Sequence, residues 1–352
     1  MLTLAPLLQR LGLRLPIIQA PMAGVSNPQM AAAVCSAGGL GSLGLGASSP
    51  STARSLITEL QSLTSKSINV NVFVHAKAVP NSETTTEWLD KLRPHFAKYN
   101  AEPPKELREI YQSFNDDAEM LEVLCELRPT VVSFHFGIPT VSILDRLKKE
   151  GIVMFASVTS LDEARQAEDA GMDALIAQGY EAGGHRGIFS PRGEDSRLST
   201  VALVRLLVSK METPIIAAGG IMDGAGIKAM LQLGAVAAQL GTAFVATPES
   251  SADEHYRKAM FSSAAEHTVM TSSISGRPAR SLRNEFTDMP VEVGGVVPDY
   301  PLAYDVGKAL NAAAKARGEG GYGAQWAGQG APLARSTGCA QLMVELEREM
   351  RP

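Results

Sequence analysis

The chain has 352 residues, of which 45% are hydrophobic and 20% are charged, so it can bury a large core. Its formal net charge is −5 and it carries no basic run, which argues against nucleic acid as the main partner. The three cysteines (Cys35, Cys125 and Cys339) form neither a CxxC nor a metal-ligand pattern, which favours a reducing, cytoplasmic compartment and no metal. Residues 1–16 lack the order of a signal peptide, and prolines interrupt the uncharged segment 15–53, so we expect no membrane association.

Short apolar runs recur along the chain, with helical patterns between them, and each has the length of a buried strand. In chain order, predicted strands one to eight are residues 16–20, 40–43, 68–74, 130–136, 152–158, 173–178, 214–218 and 235–239. Capping side chains support three of the intervening helices, at Asn27, at Ser160 with Glu163, and at Asp223. Eight strands that alternate with helices predict an α/β fold, the (β/α)8 TIM barrel.

Two segments interrupt this alternation. Residues 78–114 are polar and contain several prolines, as if helical pieces were inserted after strand three. Residues 250–283 form a polar segment that we expect to be helical, and the Gly- and Pro-rich remainder to 330 has one predicted helix near 304–316. We therefore expect a barrel of residues 1–77 and 115–249, a smaller and mostly helical cap of residues 78–114 and 250–330, and a C-terminal helix within 331–352 that packs back on the barrel.

The stretch 171–187 (GMDALIAQGYEAGGHRG) joins the end of strand six to a glycine-rich loop. Gln178 places an amide at the carboxyl end of the strand. Gly183 and Gly184 let the backbone approach a ligand closely because they have no Cβ. His185 then adds a titratable ring. These groups, within eight positions, indicate a binding or catalytic site, whereas a βα turn with a surface histidine is the plainer alternative.

The loops after strands seven and eight are the common phosphate site of TIM barrels. Here strand seven runs into Gly219 and Gly220, and strand eight runs into Gln239, Leu240, Gly241 and Thr242. The glycines expose backbone N–H donors, a following helix favours an anion, and the Thr242 hydroxyl can add a bond. We expect a phosphate there, although glycines at a barrel mouth also serve tight packing.

Polar side chains lie in or at the ends of strands three, four and six, namely Asn69, Asn71, His135 and Gln178. A buried amide without a partner costs about 1–3 kcal/mol, so these groups need partners. Neighbouring backbone would satisfy them, and so would a flat heterocycle with ring nitrogens and carbonyls. A phosphate on one side of the mouth and amides across it suggest FMN. The GxGxxG pattern at 39–44 follows a helix and contains a strand, so we do not interpret it as a dinucleotide motif.

Several longer motifs make the chain recognisable. They are QAPMAGVSNP (19–28), NVNVFVH (69–75), VSFHFGIP (132–139), AQGYEAGGHRG (177–187), AAGGI (217–221), QLGTAF (239–244), SGRPAR (275–280) and WAGQ (326–329). In these motifs, which are spread over nearly the whole chain, the sequence resembles the nitronate monooxygenase family, formerly called 2-nitropropane dioxygenases. The resemblance is greatest to the class I members from bacteria and fungi.

The resemblance implies a flavoprotein that oxidises alkyl nitronates with O2 to a carbonyl compound and nitrite, through an anionic flavin semiquinone. Propionate 3-nitronate is the implied substrate, and His185 falls on the catalytic histidine of the family. The positions implied to contact FMN are Met22, Ala23, Asn69, Gln178, Gly183, Gly184, Gly219, Gly220, Gln239, Leu240, Gly241 and Thr242. The positions implied to face the substrate are His135, Tyr300, Tyr304 and Lys308. A homodimer is left open as the assembly.

These roles are chemically reasonable. A nitronate is an anion, which hydrogen-bond donors and positive charge stabilise in a dry site. His185 could hydrogen-bond the nitronate or take a carbon-bound proton from a nitroalkane. Lys308 could pair with the carboxylate of propionate 3-nitronate, and it lies on one helix face with Tyr304.

Three other functions remain open. The nearest is an FMN-dependent enoyl-ACP reductase, a related barrel that would need NAD(P)H. Barrels with a nucleophilic loop cysteine are disfavoured, because none of the three cysteines follows a strand at the mouth. The last is a flavin-binding module without catalysis.

Overall fold

The computed structural model describes residues 5–289 and 297–351. Its eleven strands in chain order are β1 (Ile17–Gln19), β2 (Gly41–Gly44), β3 (Ile68–Phe73), β4 (Val131–His135), β5 (Val153–Val158), β6 (Ala174–Gln178), β7 (Gly184–His185), β8 (Ile215–Ala218), β9 (Ala237–Leu240), β10 (Thr268–Thr271) and β11 (Ala279–Leu282). Eight of them pair in parallel, in the order β1-β9-β8-β6-β5-β4-β3-β2. Gln19 N–H donates to the Leu40 carbonyl (2.9 Å), and Leu40 N–H donates to the Ile17 carbonyl (3.0 Å). These bonds join β1 to the residue before β2 and close the predicted TIM barrel, in which predicted strands seven and eight are β8 and β9.

Helices surround the barrel and build the cap. They are α1 (Pro6–Arg10), α2 (Pro28–Ser36), α3 (Pro50–Leu63), α4 (Ser82–Ala97), α5 (Ala118–Leu127), α6 (Val141–Lys149), α7 (Leu161–Asp169), α8 (Thr200–Lys210), α9 (Gly224–Gln232), α10 (Thr242–Val245), α11 (Glu254–Met260), α12 (Leu302–Lys315) and α13 (Cys339–Met350). Within residues 5–289 and 297–351, no helix has the length and apolar character needed to cross a bilayer.

The predicted helix caps are present, with one difference. Asn27 and Asp223 each accept a backbone N–H from the first turn of α2 and α9, at 2.9 and 2.7 Å. Ser160 accepts the Glu163 N–H at 3.2 Å. The Glu163 carboxylate, however, binds the N–H and hydroxyl of Thr159 instead of the Ser160 N–H, so the capping box forms only in part.

Two apolar layers account for the shape of the barrel. One layer fills the space between the strands and the surrounding helices, where Val70 and Val72 of β3 point. The other fills the barrel interior, where Leu7 and Leu8 of α1 pack with side chains such as Val131 at the beginnings of the strands. Because side chains alternate along a strand, Asn69 and Asn71 share the interior face of β3. The interior is thus apolar at the N-terminal end of the barrel and becomes polar toward the C-terminal end.

The cap combines chain segments on both sides of the barrel sequence. Trp88, Leu92 and Phe96 of α4 pack with Val306 and Leu310 of α12. The expectation of helix throughout 250–283 is wrong in part, because α11 is followed by the antiparallel strands β10 and β11. β11 also pairs with β7, which attaches this hairpin to the loop after β6. At the other end of the chain, α13 packs against α2 and α9, with Leu342, Met343 and Leu346 buried in the outer layer.

Candidate functional site

A cavity of about 760 Å³ lies at the carboxyl ends of the barrel strands, below the cap. Its walls include most of the site residues that the sequence predicts. Those that line it are Met22, Ala23, His135, Gln178, Gly183, Gly184, His185, Gly219, Gly220, Gln239, Gly241, Thr242, Tyr304 and Lys308. The two glycine loops and the histidine loop, which are distant in sequence, therefore face one space.

Three predicted site residues do not line this cavity. Asn69 is fully buried deeper in the barrel, where its amide donates to Ser42 Oγ at 3.0 Å. Asn71, two positions along the same face of β3, lines the cavity in its place. Leu240 points into the outer apolar layer, and Tyr300 is buried behind His185, with 5.5 Å between their ring centroids.

His185 is held in a buried aromatic enclosure. His185 is 9% exposed, and in β7 it pairs with Ala279 of β11. Its Nε2 lies 2.9 Å from Ser275 Oγ. The rings around it are Phe136, Tyr300, Tyr304 and Trp326, with centroids 5.0–6.0 Å from the imidazole. Burial, together with the nearby groups His135, Arg277 and His75, lowers the pKa of His185 well below 6.5, so the ring is neutral at neutral pH.

Gln178 and His135 fix the backbone of the histidine loop. Both donate to the His185 carbonyl, Gln178 Nε2 at 3.0 Å and His135 Nε2 at 3.1 Å. The Gln178 side-chain oxygen accepts the Gly187 N–H at 2.7 Å. Burial lowers the pKa of His135 to about 4, so it is neutral and carries its proton on Nε2. Both side chains line the cavity, but their hydrogen bonds serve mainly to orient His185.

The glycine loops after β8 and β9 differ in the room that they leave. A Cβ at Gly219 would lie 2.8 Å from Thr200 Oγ1, and its φ of +120° also disfavours a side chain. Gly241 has a φ of −107°, and a Cβ there would meet only Ala20 and Met22 at 3.4 Å or more. Thr242 Oγ1 accepts the Gly328 N–H at 3.0 Å, which leaves its hydroxyl proton to donate into the cavity. The loops therefore offer N–H and O–H donors around an open space.

A cationic side chain on α12 forms part of the opposite wall. The Lys308 ammonium lies 4.9 Å from the centroid of the Tyr111 ring and 5.6 Å from that of Tyr304. No carboxylate within the described part of the chain forms an ion pair with it. Burial lowers the pKa of Lys308. Two aromatic faces thus hold an ammonium that has no ion-pair partner among the described residues.

Sequence reasoning missed several residues of the site. Asn71 is one of the two amides noted in strand three, but the resemblance implies an FMN contact only for Asn69, and the sequence does not state how deep each amide lies in the barrel. Ser275 and Trp326 lie within the SGRPAR and WAGQ motifs, which were recognised without a role for either residue. Tyr111 lies in the insertion after β3, where no periodic pattern drew attention to it.

Comparison with known proteins supports a single family. The family model for nitronate monooxygenase matches residues 5–349. A nitronate monooxygenase of Paraburkholderia phytofirmans is 57% identical over 346 residues, which cover 98% of this chain and 94% of that protein. One from Pseudomonas aeruginosa is 49% identical over 97% of both chains.

Solved structures share the fold. The nitroalkane oxidase from Streptomyces ansochromogenes superposes with a TM-score of 0.90 at 37% identity, over 97% of each chain. FabK from Thermotoga maritima superposes with a TM-score of 0.74 at 29% identity, over 99% of this chain and 96% of that one.

Proposed function

This chain belongs to the nitronate monooxygenase family, and from that premise we propose that it uses FMN and O2 to oxidise alkyl nitronates to a carbonyl compound and nitrite. We propose propionate 3-nitronate as the substrate. The observation that carries this proposal is that neutral His185, the ammonium of Lys308 and the glycine loops after β8 and β9 all face one cavity.

The polar groups of the cavity fit FMN. The backbone of Gly220 and Gly241 and the Thr242 hydroxyl would hold the phosphate, as N–H and O–H donors do at other anion sites. Gln239 Oε1 is buried and has no hydrogen-bond partner in the described residues, so it can accept from a ring N–H. Asn71 donates to the carbonyl and hydroxyl of Ser133, which leaves its side-chain oxygen for the ligand. When bound, FMN would supply the redox chemistry that amino-acid side chains lack.

His185 would act on the nitronate group as a neutral imidazole. Its pKa is held well below 6.5, so it can donate one hydrogen bond or accept one proton without first losing a charge. The aromatic rings around it exclude water, which strengthens every polar contact made in the enclosure. His135 and Gln178 donate hydrogen bonds to its backbone carbonyl and would keep the imidazole in a fixed position relative to the substrate.

Lys308 would bind the carboxylate at the other end of propionate 3-nitronate. Tyr304 lies near both Lys308 and His185. Its ring centroid is 5.6 Å from the Lys308 ammonium and 6.0 Å from the His185 ring centroid. Both groups therefore lie beside the same tyrosine ring in one cavity, an arrangement that suits a short molecule with an anion at each end. Tyr111, which lines the cavity beside Tyr304, would restrict the width of the substrate.

The visible spectrum of the purified protein tests this proposal. It is recorded without oxygen, before and after addition of propionate 3-nitronate. We expect a flavin spectrum that propionate 3-nitronate alters and that air restores, with nitrite formed. A colourless protein would contradict the cofactor. A flavin that responds only to NADH would instead support an enoyl-ACP reductase, and one that responds to neither would support a binding module.

A further inference from the structure

A second charged side chain lies behind His185, outside the cavity wall. Arg277 is 3% exposed, and its guanidinium carbon lies 4.1 Å from the centroid of the Phe136 ring. Phe136 in turn contacts His185, because their rings meet edge to face with 5.5 Å between centroids. The guanidinium and the imidazole therefore contact the same aromatic ring.

The described residues around Arg277 do not neutralise its charge. Its guanidinium donates to the Ile188 carbonyl, while its Nε has no hydrogen-bond partner among residues 5–289 and 297–351. No carboxylate in those residues forms an ion pair with it. Arg277 interacts electrostatically with Glu163 without forming an ion pair. The two carboxylate oxygens of Glu163 already accept hydrogen bonds from Thr159 and Phe189.

The other two buried arginines nearby are satisfied differently. Arg186 forms a two-point ion pair with Asp195, at 2.9 and 3.0 Å. Arg280 uses all three of its nitrogens, which donate to the Tyr180 carbonyl and to Thr268. A buried cation without a counter-charge costs free energy. Among residues 5–289 and 297–351, Arg277 thus lacks both an ion pair and full hydrogen bonding, so a ligand can supply its counter-charge.

The groups that face Arg277 carry no other positive charge at neutral pH. They are His75 after β3, His135 at the end of β4, His185 in β7, Tyr300 before α12 and Glu163 in α7. The pKa of each histidine is lowered, mainly by burial and further by Arg277, so all three are neutral. Burial lowers the pKa of Arg277 itself only to about 10, so it stays charged.

We propose that Arg277 is the fixed positive charge that draws the anionic nitronate group to His185, acting through the buried aromatic layer without touching the substrate. It is thus a positioning residue, and Lys308 would serve the carboxylate at the opposite end. This inference rests on the proposed function, because that function supplies the anion.

The test compares an anion with a neutral molecule of the same shape in the purified holoenzyme. Nitrate is planar and anionic like the nitronate group, and nitromethane is its uncharged counterpart at neutral pH. Their dissociation constants are measured from changes in the flavin spectrum, without oxygen and without turnover. The variants are Arg277→Met, which removes the charge, and Arg277→Lys, which keeps it. Arg277→Gln replaces Arg277→Met if the latter does not fold.

We expect Arg277→Met to weaken nitrate binding about tenfold and to leave nitromethane within about twofold, as expected for one charge acting through partly buried surroundings. Arg277→Lys should restore most of the nitrate affinity. The acid limb of the pH profile of kcat/KM should move to higher pH in Arg277→Met, because removing the charge raises the pKa of His185.

Equal nitrate affinity in wild type and Arg277→Met would overturn the proposal. So would an equal loss for nitrate and nitromethane, which would assign Arg277 a purely structural role. Both results can be read even if the wild type does not oxidise nitronates, so the failure of this inference and the failure of the proposed function are distinguishable.

Discussion

Ser275 Oγ lies 2.9 Å from Nε2 of His185, and Ser275 is fully buried. The same hydroxyl lies 3.2 Å from the Arg277 carbonyl oxygen, which can only accept a hydrogen bond. The contact with Ser275 occupies Nε2 and leaves Nδ1 for the substrate. Ser275 therefore fixes the orientation of the imidazole.

Replacement of Ser275 by alanine tests this contact. We expect kcat/KM for propionate 3-nitronate to fall about tenfold, because the lost hydrogen bond is worth about 1 kcal/mol and the ring is free to turn. Ser273→Ala is the matched control, since Ser273 is equally buried but bonds Thr271 and not His185. Similar losses of activity in both variants would contradict a specific role for Ser275.

His185→Asn should keep its flavin and lose most of its turnover, by a factor of about 10² to 10⁴. The reason is that asparagine can donate a hydrogen bond but cannot accept a proton at neutral pH. Flavin content from the visible spectrum and nitrite release measure the two effects separately. Nitronate oxidation close to that of the wild type would end the catalytic assignment of His185.

Gly241→Glu should abolish FMN binding, whereas Gly241→Ala should bind it. The backbone at Gly241 accepts a side chain, and a Cβ there meets only ordinary contacts, so both variants should fold. The glutamate carboxylate would then occupy the space proposed for the phosphate and repel it. The measurement is the flavin-to-protein ratio after purification, and normal loading of Gly241→Glu would show that the phosphate binds elsewhere.

Lys308→Met should raise the KM for propionate 3-nitronate by about 10- to 100-fold, which corresponds to about 1.4–2.8 kcal/mol. The methionine keeps the stem that packs on Tyr111 and Tyr304 but lacks the ammonium. Ethyl nitronate has no carboxylate, so its KM should barely change. If both substrates lost affinity equally, Lys308 would have to act through packing.

Buried neutral histidines should make folding stability sensitive to acid. Burial lowers the pKa of His75 from 6.5 to about 4. Between these two values the unfolded chain binds a proton that the folded chain does not, so stability falls as pH falls. The slope is about 1.4 kcal/mol per pH unit for this histidine. His75→Phe keeps the ring contacts with Tyr300 and Phe136 and should flatten the pH dependence of the unfolding free energy below pH 6.5. Parallel curves for the two proteins would contradict this assignment.

The barrel could be predicted because each strand is a short apolar run with a helical pattern on either side. The depth of individual side chains could not. Asn69 and Asn71 occupy the same face of β3, and the sequence treats them alike. Only the packed barrel shows that Asn69 bonds Ser42 in the interior and that Asn71 reaches the cavity.

The contacts around His185 also exceed what local patterns can reveal. β7 has only two residues, and it is a strand because it pairs with β11, more than ninety positions later in the chain. Ser275 lies in a turn with no strand or helix signal, and its role depends on that same long-range pairing. The histidine and glycine motifs were therefore predictable as a site, whereas the residues that orient the imidazole required the tertiary structure.

The leucines of α1 close the barrel at the end opposite the cavity. In the described part of the chain, this leaves the cap side as the route by which ligands enter and leave. Under the proposed reaction, the nitronate and dioxygen would enter, and nitrite would leave, by the same opening. Turnover at high substrate concentration would then be limited by product release through this opening, and a narrower opening would slow product release as much as substrate entry.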